Sequence, residues 1–276
     1  MLFRLFAFLS VIRGMRALRR QRPWFALVAL VLVSGTPLGD ALAGDLVETI
    51  GRVKPSVVAV GTYQRTRKPA ADLLGTGFAV GDGLHVITSG HVIPPALDHA
   101  HRETLTVFLP AGDTVEARPV KLVAEDTEHD LAVLRMSDAP LPALELGDDL
   151  SVQEGQSVAF TGFPAAPALG LYPVTHRGII SAVTPAAVPP PSAGYLNHQM
   201  IQRLRQNFTV FQLDATAYPG NSGSPLFDPE TGAVIGVVGS VGVKETKERA
   251  LQDPSGITYA IPIRYAKELL AGIERR

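Results

Sequence analysis

A serine hydroxyl is a poor nucleophile near neutral pH. It becomes a good one beside a base, usually an imidazole whose tautomer a carboxylate fixes. The chain offers such a serine at Ser222, within Gly220-Asn221-Ser222-Gly223-Ser224-Pro225. Glycines flanking that position let the backbone turn sharply, expose the hydroxyl and let a substrate approach the main chain. The same composition also describes an ordinary polar surface turn, because Gly, Asn, Ser and Pro dominate turns. Whether a base and an acid stand where strands end separates the two readings.

Seven histidines compete for the role of base. His91 follows an apolar run and the small-residue turn Thr88-Ser89-Gly90, and it precedes Val92-Ile93, which puts its ring at the edge of a core. His85 lies inside the strand and reads as structural. His99 and His101, with Asp98, have the composition of a metal cluster, but their loop setting and lack of further ligands read as a solvated surface pair. His176 and His198 have no partner in the sequence. His129 adjoins an acid but points away from it in an extended chain. That acid, Asp130, is the chosen carboxylate. It opens Leu131-Ala132-Val133-Leu134, a run that reads as a buried strand. A carboxylate there needs hydrogen-bond partners, and an imidazole N–H is one. Asp126 competes from the polar stretch Glu125-Asp126-Thr127-Glu128, and Asp214 reads as structural. The resulting chain order, His91 then Asp130 then Ser222, is that of the chymotrypsin arrangement, in which the first two residues come from one β-barrel and the serine from another.

The elements that must position these groups are mostly short strands bounded by turn residues. The pattern predicts strands at Val57–Val60 (stopped by Gly61), Gly75–Val80, Leu84–Thr88, Thr104–Leu109, Thr114–Val123 and Leu131–Arg135. It predicts others at Ser157–Thr161, Val174–Val183, Val210–Asp214, Ala233–Gly239 and Ile257–Ile261. Gly81-Asp82-Gly83 reads as a hairpin turn, and Arg65 to Pro69 as a solvated basic loop. Asp45–Val53 reads as a short helix and Ile263–Glu274 as an amphipathic one. Many short strands at regular spacing indicate an all-β sandwich or a pair of barrels. Thr184–Asn207 breaks the rhythm: it is long for a hairpin loop and rich in proline, so it is either a functional segment or a tolerated insertion.

Composition narrows the chemistry. Of 276 residues, none is cysteine, which excludes disulfides, thiol catalysis and cysteine-ligated metal. No metal or other cofactor is expected. The N-terminus is basic, with Arg4, Arg13, Arg16, Arg19, Arg20 and Arg22 against the single acid Asp40 before residue 44. An apolar run, Trp24 to Val33, and the small-x-small sequence Ala41-Leu42-Ala43 follow. Residues 1–43 therefore read as a secretory signal peptide, or as an uncleaved membrane anchor. Met15 offers an alternative start that gives a leader of ordinary shape, and Arg19-Arg20 adds a slight twin-arginine character. The chain is expected in the bacterial periplasm, or anchored in the inner membrane facing it. Without the leader the chain is mildly acidic, so nucleic acid is not an expected partner.

Several further stretches accompany the three chemical residues: Gly75-Thr76-Gly77-Phe78, Thr88-Ser89-Gly90-His91-Val92, Asp130-Leu131-Ala132-Val133-Leu134, Gly178-Ile179-Ile180-Ser181-Ala182, Asp214-Ala215 with Pro219-Gly220-Asn221-Ser222-Gly223, and Tyr259-Ala260-Ile261-Pro262. In that order, across about residues 50–265, the chain resembles a trypsin-like serine protease of the HtrA (Deg) family. The resemblance implies an all-β, chymotrypsin-like pair of perpendicular six-stranded barrels, with a short N-terminal and a C-terminal helix. One barrel is expected in residues 44–145 with His91 and Asp130, the other in 146–276 with Ser222. It implies peptide hydrolysis through an acyl-enzyme, an oxyanion hole at the N–H groups of Gly220 and Ser222, polypeptide substrates and a homotrimer. It places the walls of the primary specificity pocket at Thr216, Ala217 and Tyr218 and at Gly239, Ser240 and Val241. None of these is acidic, so Lys or Arg substrates are not expected; Thr216 suits a small or medium apolar side chain. Ser224 stands where the family commonly has glycine, and Asn221 where digestive relatives have aspartate, so activation by a freshly cut N-terminus is not expected. With only a short sequence after the last strand, the PDZ domain of many members is not expected. An alternative to the enzyme is a latent peptide-binding or chaperone-like protein using the same cleft.

Overall fold

The computed structural model describes residues 46–112, 114–137, 139–164, 170–186, 208–239 and 257–275. The expected leader, most of Thr184–Asn207, and Ser240 and Val241 lie outside these residues. After helix α1 (Leu46–Val53), six strands follow: β1 (Val57–Tyr63), β2 (Ala71–Val80), β3 (His85–Ser89), β4 (Thr104–Ala111), β5 (Thr114–Asp126) and β6 (Leu131–Met136). They close into a barrel in the order β1-β2-β3-β6-β5-β4. Six more, β7 (Ser157–Gly162), β8 (Val174–Pro185), β9 (Thr209–Asp214), β10 (Pro225–Phe227), β11 (Val234–Gly239) and β12 (Ile257–Pro262), close a second in the order β10-β11-β12-β9-β8-β7. Helix α2 (Ile263–Glu274) ends the described chain. Among the described residues, closure leaves neither barrel with a free edge strand.

Period-2 patterning explains why both faces of several strands are buried. On β1, Val58 and Val60 join the first barrel's interior with Val86, Val107 and Leu134. The alternate residues Val57 and Ala59 face outward and are equally buried, in a cluster shared with Phe163, Phe227, Val237 and Ile263 of the second half. The second barrel has its own interior around Phe160, Ile180, Phe211 and Leu226. The outward face of one barrel thus meets that of the other, and an apolar seam holds them together.

The connector between barrels is bonded to both. Leu144 N–H donates to Ala79 O at 2.9 Å, and Val234 N–H donates to Glu145 O at 2.8 Å. The structure differs from the sequence reading at several places, among them the start of β2 at Ala71 and the end of β5 at Asp126. β1 runs through Gly61 to Tyr63, with a bulge at Val60/Gly61 against β2. β8 extends through Thr184 to Pro185, paired with Val210 and Thr209, so these two residues belong to the strand. β10 was not expected, because three residues are too few to show a period, and pairing with β7 and β11 defines it instead. Arg67, in the basic loop, is held by Glu103 at 2.7 Å and by the carbonyl oxygens of Thr62 and Ala70.

Asp149 anchors α2. Its Oδ1 accepts the Arg264 N–H at 2.9 Å, at a helix N-terminus where the N-cap is Pro262 and no side-chain cap bonds are made. Its Oδ2 lies 2.6 Å from Arg264 Nε in an ion pair off the hydrogen-bond axis. Asp149 is 4% exposed. Asp149→Ala is expected to cost about 2 kcal/mol, since it removes the cap and strands the Arg264 charge. Urea unfolding followed by far-UV circular dichroism measures it; an unchanged midpoint refutes the anchor.

Candidate active site

Asp130 sits at the end of a four-residue turn that enters β6. Asp126 shapes that turn: its Oδ1 accepts the N–H groups of Glu128 (3.0 Å) and His129 (3.1 Å), and its Oδ2 meets His129 Nδ1 at 2.6 Å. The His129 ring stacks on Tyr265 of α2 at 3.9 Å and meets Phe208 edge-on at 4.7 Å. Asp130 itself has φ +55°, a left-handed conformation that Asp tolerates better than most residues. The turn aims its carboxylate at the end of β3. Gly90 N–H donates to Asp130 O at 2.8 Å, His91 N–H to Oδ1 at 2.8 Å, and His91 Nδ1 lies 2.6 Å from Oδ2. A carboxylate only accepts, so Nδ1 carries the hydrogen and Nε2 keeps its lone pair. His91 and Asp130, singled out in the sequence for their places at strand ends, are thus hydrogen-bonded to each other.

The loop carrying Ser222 comes from the second barrel. Asn221 N–H donates to Tyr218 O at 2.9 Å, and Gly220 has φ +100°. With Pro219 second and a positive φ third, this is a type II turn. The next three carbonyls are drawn inward. Gly220 O accepts the Thr76 hydroxyl at 2.7 Å, Asn221 O accepts Ser224 N–H at 3.0 Å, and Ser222 O accepts Thr76 N–H at 2.8 Å. Gly223 N–H donates to Val238 O at 2.7 Å. The N–H groups of Gly220 and Ser222 have no acceptor among the described residues. Two unpaired donors near a serine hydroxyl suit a developing oxyanion. The site at Gly223 admits no side chain, because an added Cβ would lie 2.0 Å from Thr76 O.

The two halves meet along the seam. Ser89 Oγ donates to Val238 O at 3.2 Å, and a Cβ on Gly239 would stand 3.9 Å from Asp130 Oδ2. Among the described residues no hydrogen bond joins Ser222 Oγ to His91. Thr216, Ala217 and Tyr218 form a partly exposed run next to the serine loop, with Tyr218 45% exposed. Thr258 of β12 braces it: its hydroxyl accepts Ala217 N–H at 2.9 Å and donates to Ala215 O. The sequence reading missed Thr258, Thr76 and the Asp126–His129 pair. Thr76 stood in a glycine-flanked stretch already singled out, whereas nothing in sequence pointed Thr258 at residues far from it along the chain.

The other histidines fall outside this constellation. His85 pairs with Asp82 at 2.9 Å and His101 with Asp98 at 2.7 Å, and neither group holds enough ligands for a metal among the described residues. His176 stacks on Phe160 at 4.8 Å, near Tyr218. Burial lowers its pKa below the ordinary 6.5. The folded state therefore binds its proton less well than the unfolded chain does, and His176 costs stability as pH falls through 6.5. His176→Phe is expected to flatten the loss of stability between neutral pH and about pH 5; denaturation midpoints across that window test it, and an unchanged slope counts against it.

Two closed six-stranded barrels, with an Asp–His pair at the end of one and a serine turn from the other, define a chymotrypsin-like double barrel. The description "Trypsin-like peptidase domain" matches residues 75–237, and the chain belongs to that family. Its relatives there are of the HtrA type. It is 30% identical over 256 residues to serine protease HTRA2, mitochondrial, of Bos taurus, covering 91% of this chain and 48% of the relative. It is 31% identical over 196 residues to a probable periplasmic serine endoprotease DegP-like of Halomonas elongata, covering 71% of this chain and 34% of the relative. The solved HtrA-type protease AlgW with tripeptide superposes with a TM-score of 0.57 and 25% identity, covering 83% of this chain and 63% of that one. The chain thus spans about half the length, or less, of these two curated relatives. Among the described residues no helix is long and apolar enough to cross a membrane.

Proposed function

We propose that the chain is a serine endopeptidase. The observation that carries this reading is the serine loop itself: its carbonyls are turned inward, its Gly220 and Ser222 N–H groups are unpaired, and an Asp-oriented imidazole stands on the facing barrel. His91 Nε2 takes the proton of Ser222 Oγ as the oxygen attacks the peptide carbonyl carbon. The carbonyl oxygen becomes an anion held by the two N–H groups. The tetrahedral intermediate collapses, the C–N bond breaks, and His91 returns the proton to the leaving amine. Water then attacks the acyl-enzyme by the same route. Asp130 keeps the ring in the productive tautomer and stabilises its charged form.

The specificity pocket assigned to Thr216, Ala217, Tyr218 and Gly239, with Ser240 and Val241 outside the described residues, takes a small or medium apolar side chain. The substrates are polypeptides, unfolded or exported, met in the periplasm after a leader in residues 1–43 directs export; the working form is a homotrimer. The name of the periplasmic DegP-like relative supports the compartment, and the peptide in the AlgW structure supports a polypeptide substrate. A second reading, a latent peptide-binding protein, draws on the unmade Ser222–His91 hydrogen bond. A fluorophosphonate probe separates them: labelling of the wild type that Ser222→Ala abolishes supports the peptidase, and a folded protein that never labels supports the latent form. Faster cleavage of unfolded casein than of a folded control supports the substrate class.

A further inference from the structure

We infer that Thr76 is a positioning residue that sets the orientation of the oxyanion-binding turn, an inference that rests on the peptidase reading above. Thr76 belongs to β2 of the first barrel and is fully buried. Its hydroxyl is the meeting point of two segments of the second barrel. Phe163 N–H donates to it at 3.0 Å, and it donates to Gly220 O at 2.7 Å. A hydroxyl has one proton and Phe163 N–H cannot accept, so the proton is committed to Gly220 O. The main-chain N–H of the same residue holds Ser222 O at 2.8 Å. One residue therefore grips the carbonyls on both sides of Asn221, while the N–H groups of Gly220 and Ser222 stay unpaired.

The grip matters because Gly220 has no side chain to restrict it. Its φ of +100° and its neighbouring peptides rotate at little cost. If Gly220 O is released, the peptide joining Gly220 to Asn221 turns and the Asn221 N–H···Tyr218 O bond that closes the turn is lost; with the turn open, the preceding Pro219–Gly220 peptide, which carries Gly220 N–H, loses its fixed orientation toward the oxyanion position. Thr76 touches no reacting atom and acts only through the turn. Its loss should spare substrate binding, which uses the pocket walls, and should slow the chemical step. Misplacement by about 1 Å costs on the order of 100-fold.

The test is a set of variants in the full chain: Thr76→Val, which keeps the shape and removes the hydroxyl; Thr76→Ala, which cannot overpack; and Thr76→Ser, which restores the hydroxyl. Each is read by the rate of fluorophosphonate labelling, by kcat and KM on a peptide substrate, and by thermal unfolding. The expected result is a kcat and a labelling rate about 10- to 100-fold down in Val and Ala, an unchanged KM, and recovery in Ser. Wild-type labelling rates in a folded Val or Ala variant overturn the inference, as does a Ser variant as slow as Ala. A parallel rise in KM assigns Thr76 to general packing and also overturns it. A wild type that never labels overturns the peptidase reading itself, and so is told apart from failure of the Thr76 inference alone.

Discussion

Ser222→Ala is expected to lower peptide turnover by about six orders of magnitude, to the level left by binding and the oxyanion donors alone. The size follows from the pathway. Without the hydroxyl there is no acyl-enzyme, and a water must attack the carbonyl directly. The residual rate should exceed that of the uncatalysed reaction, because the N–H groups of Gly220 and Ser222 are main-chain donors that the substitution leaves in place. The fold should be unaffected: Ser222 is tied to Thr76 through its carbonyl oxygen, not its hydroxyl. Active-site titration and turnover on casein measure the effect, and a variant that retains even one-hundredth of the wild-type rate removes Ser222 as nucleophile.

Asp130→Asn is expected to cost about four orders of magnitude in kcat while leaving KM close to wild type. The carboxylate receives two hydrogens from one residue, the His91 main-chain N–H on Oδ1 and the ring at Nδ1 on Oδ2. An amide can serve only one of them with its oxygen. With its NH2 facing the ring, it donates to Nδ1 and forces the hydrogen onto Nε2, the atom that must accept the serine proton. The left-handed turn that carries the residue tolerates Asn as it tolerates Asp, so the backbone should hold. The contrast with Ser222→Ala is informative, because the nucleophile is intact and labelling by a fluorophosphonate should be slow but measurable. A kcat within tenfold of wild type excludes Asp130 as the orienting acid.

Much of this was legible in the sequence, for identifiable reasons. Strand ends are where a polar group can be both held and exposed, so the choice of His91 and Asp130 rested on the apolar runs beside them, and the structure brings these two side chains to 2.6 Å. The double barrel was legible through the family resemblance and the turn spacing. What stayed hidden depends on contacts between residues far apart in the chain. β10 is three residues long and exists only because β7 and β11 flank it. His129 was read as idle because its partners, three residues back at Asp126 and across the molecule at Tyr265, complete the turn only in three dimensions. Thr76 gave no sign of its two partners in the second barrel, since a threonine between glycines is unremarkable until a carbonyl is laid against it.

The order of strands in the second barrel has a consequence for synthesis. β12 lies between β11 and β9, so that barrel closes only when its last strand in sequence has been inserted. Thr258 on that strand also braces Ala215 and Ala217, just ahead of the serine turn. A chain emerging N-terminus first has its His91–Asp130 pair long before the loop of Ser222 has this brace to rest on. On the peptidase reading, a copy still emerging from the ribosome stays inert until Thr258 has been added beneath the serine turn.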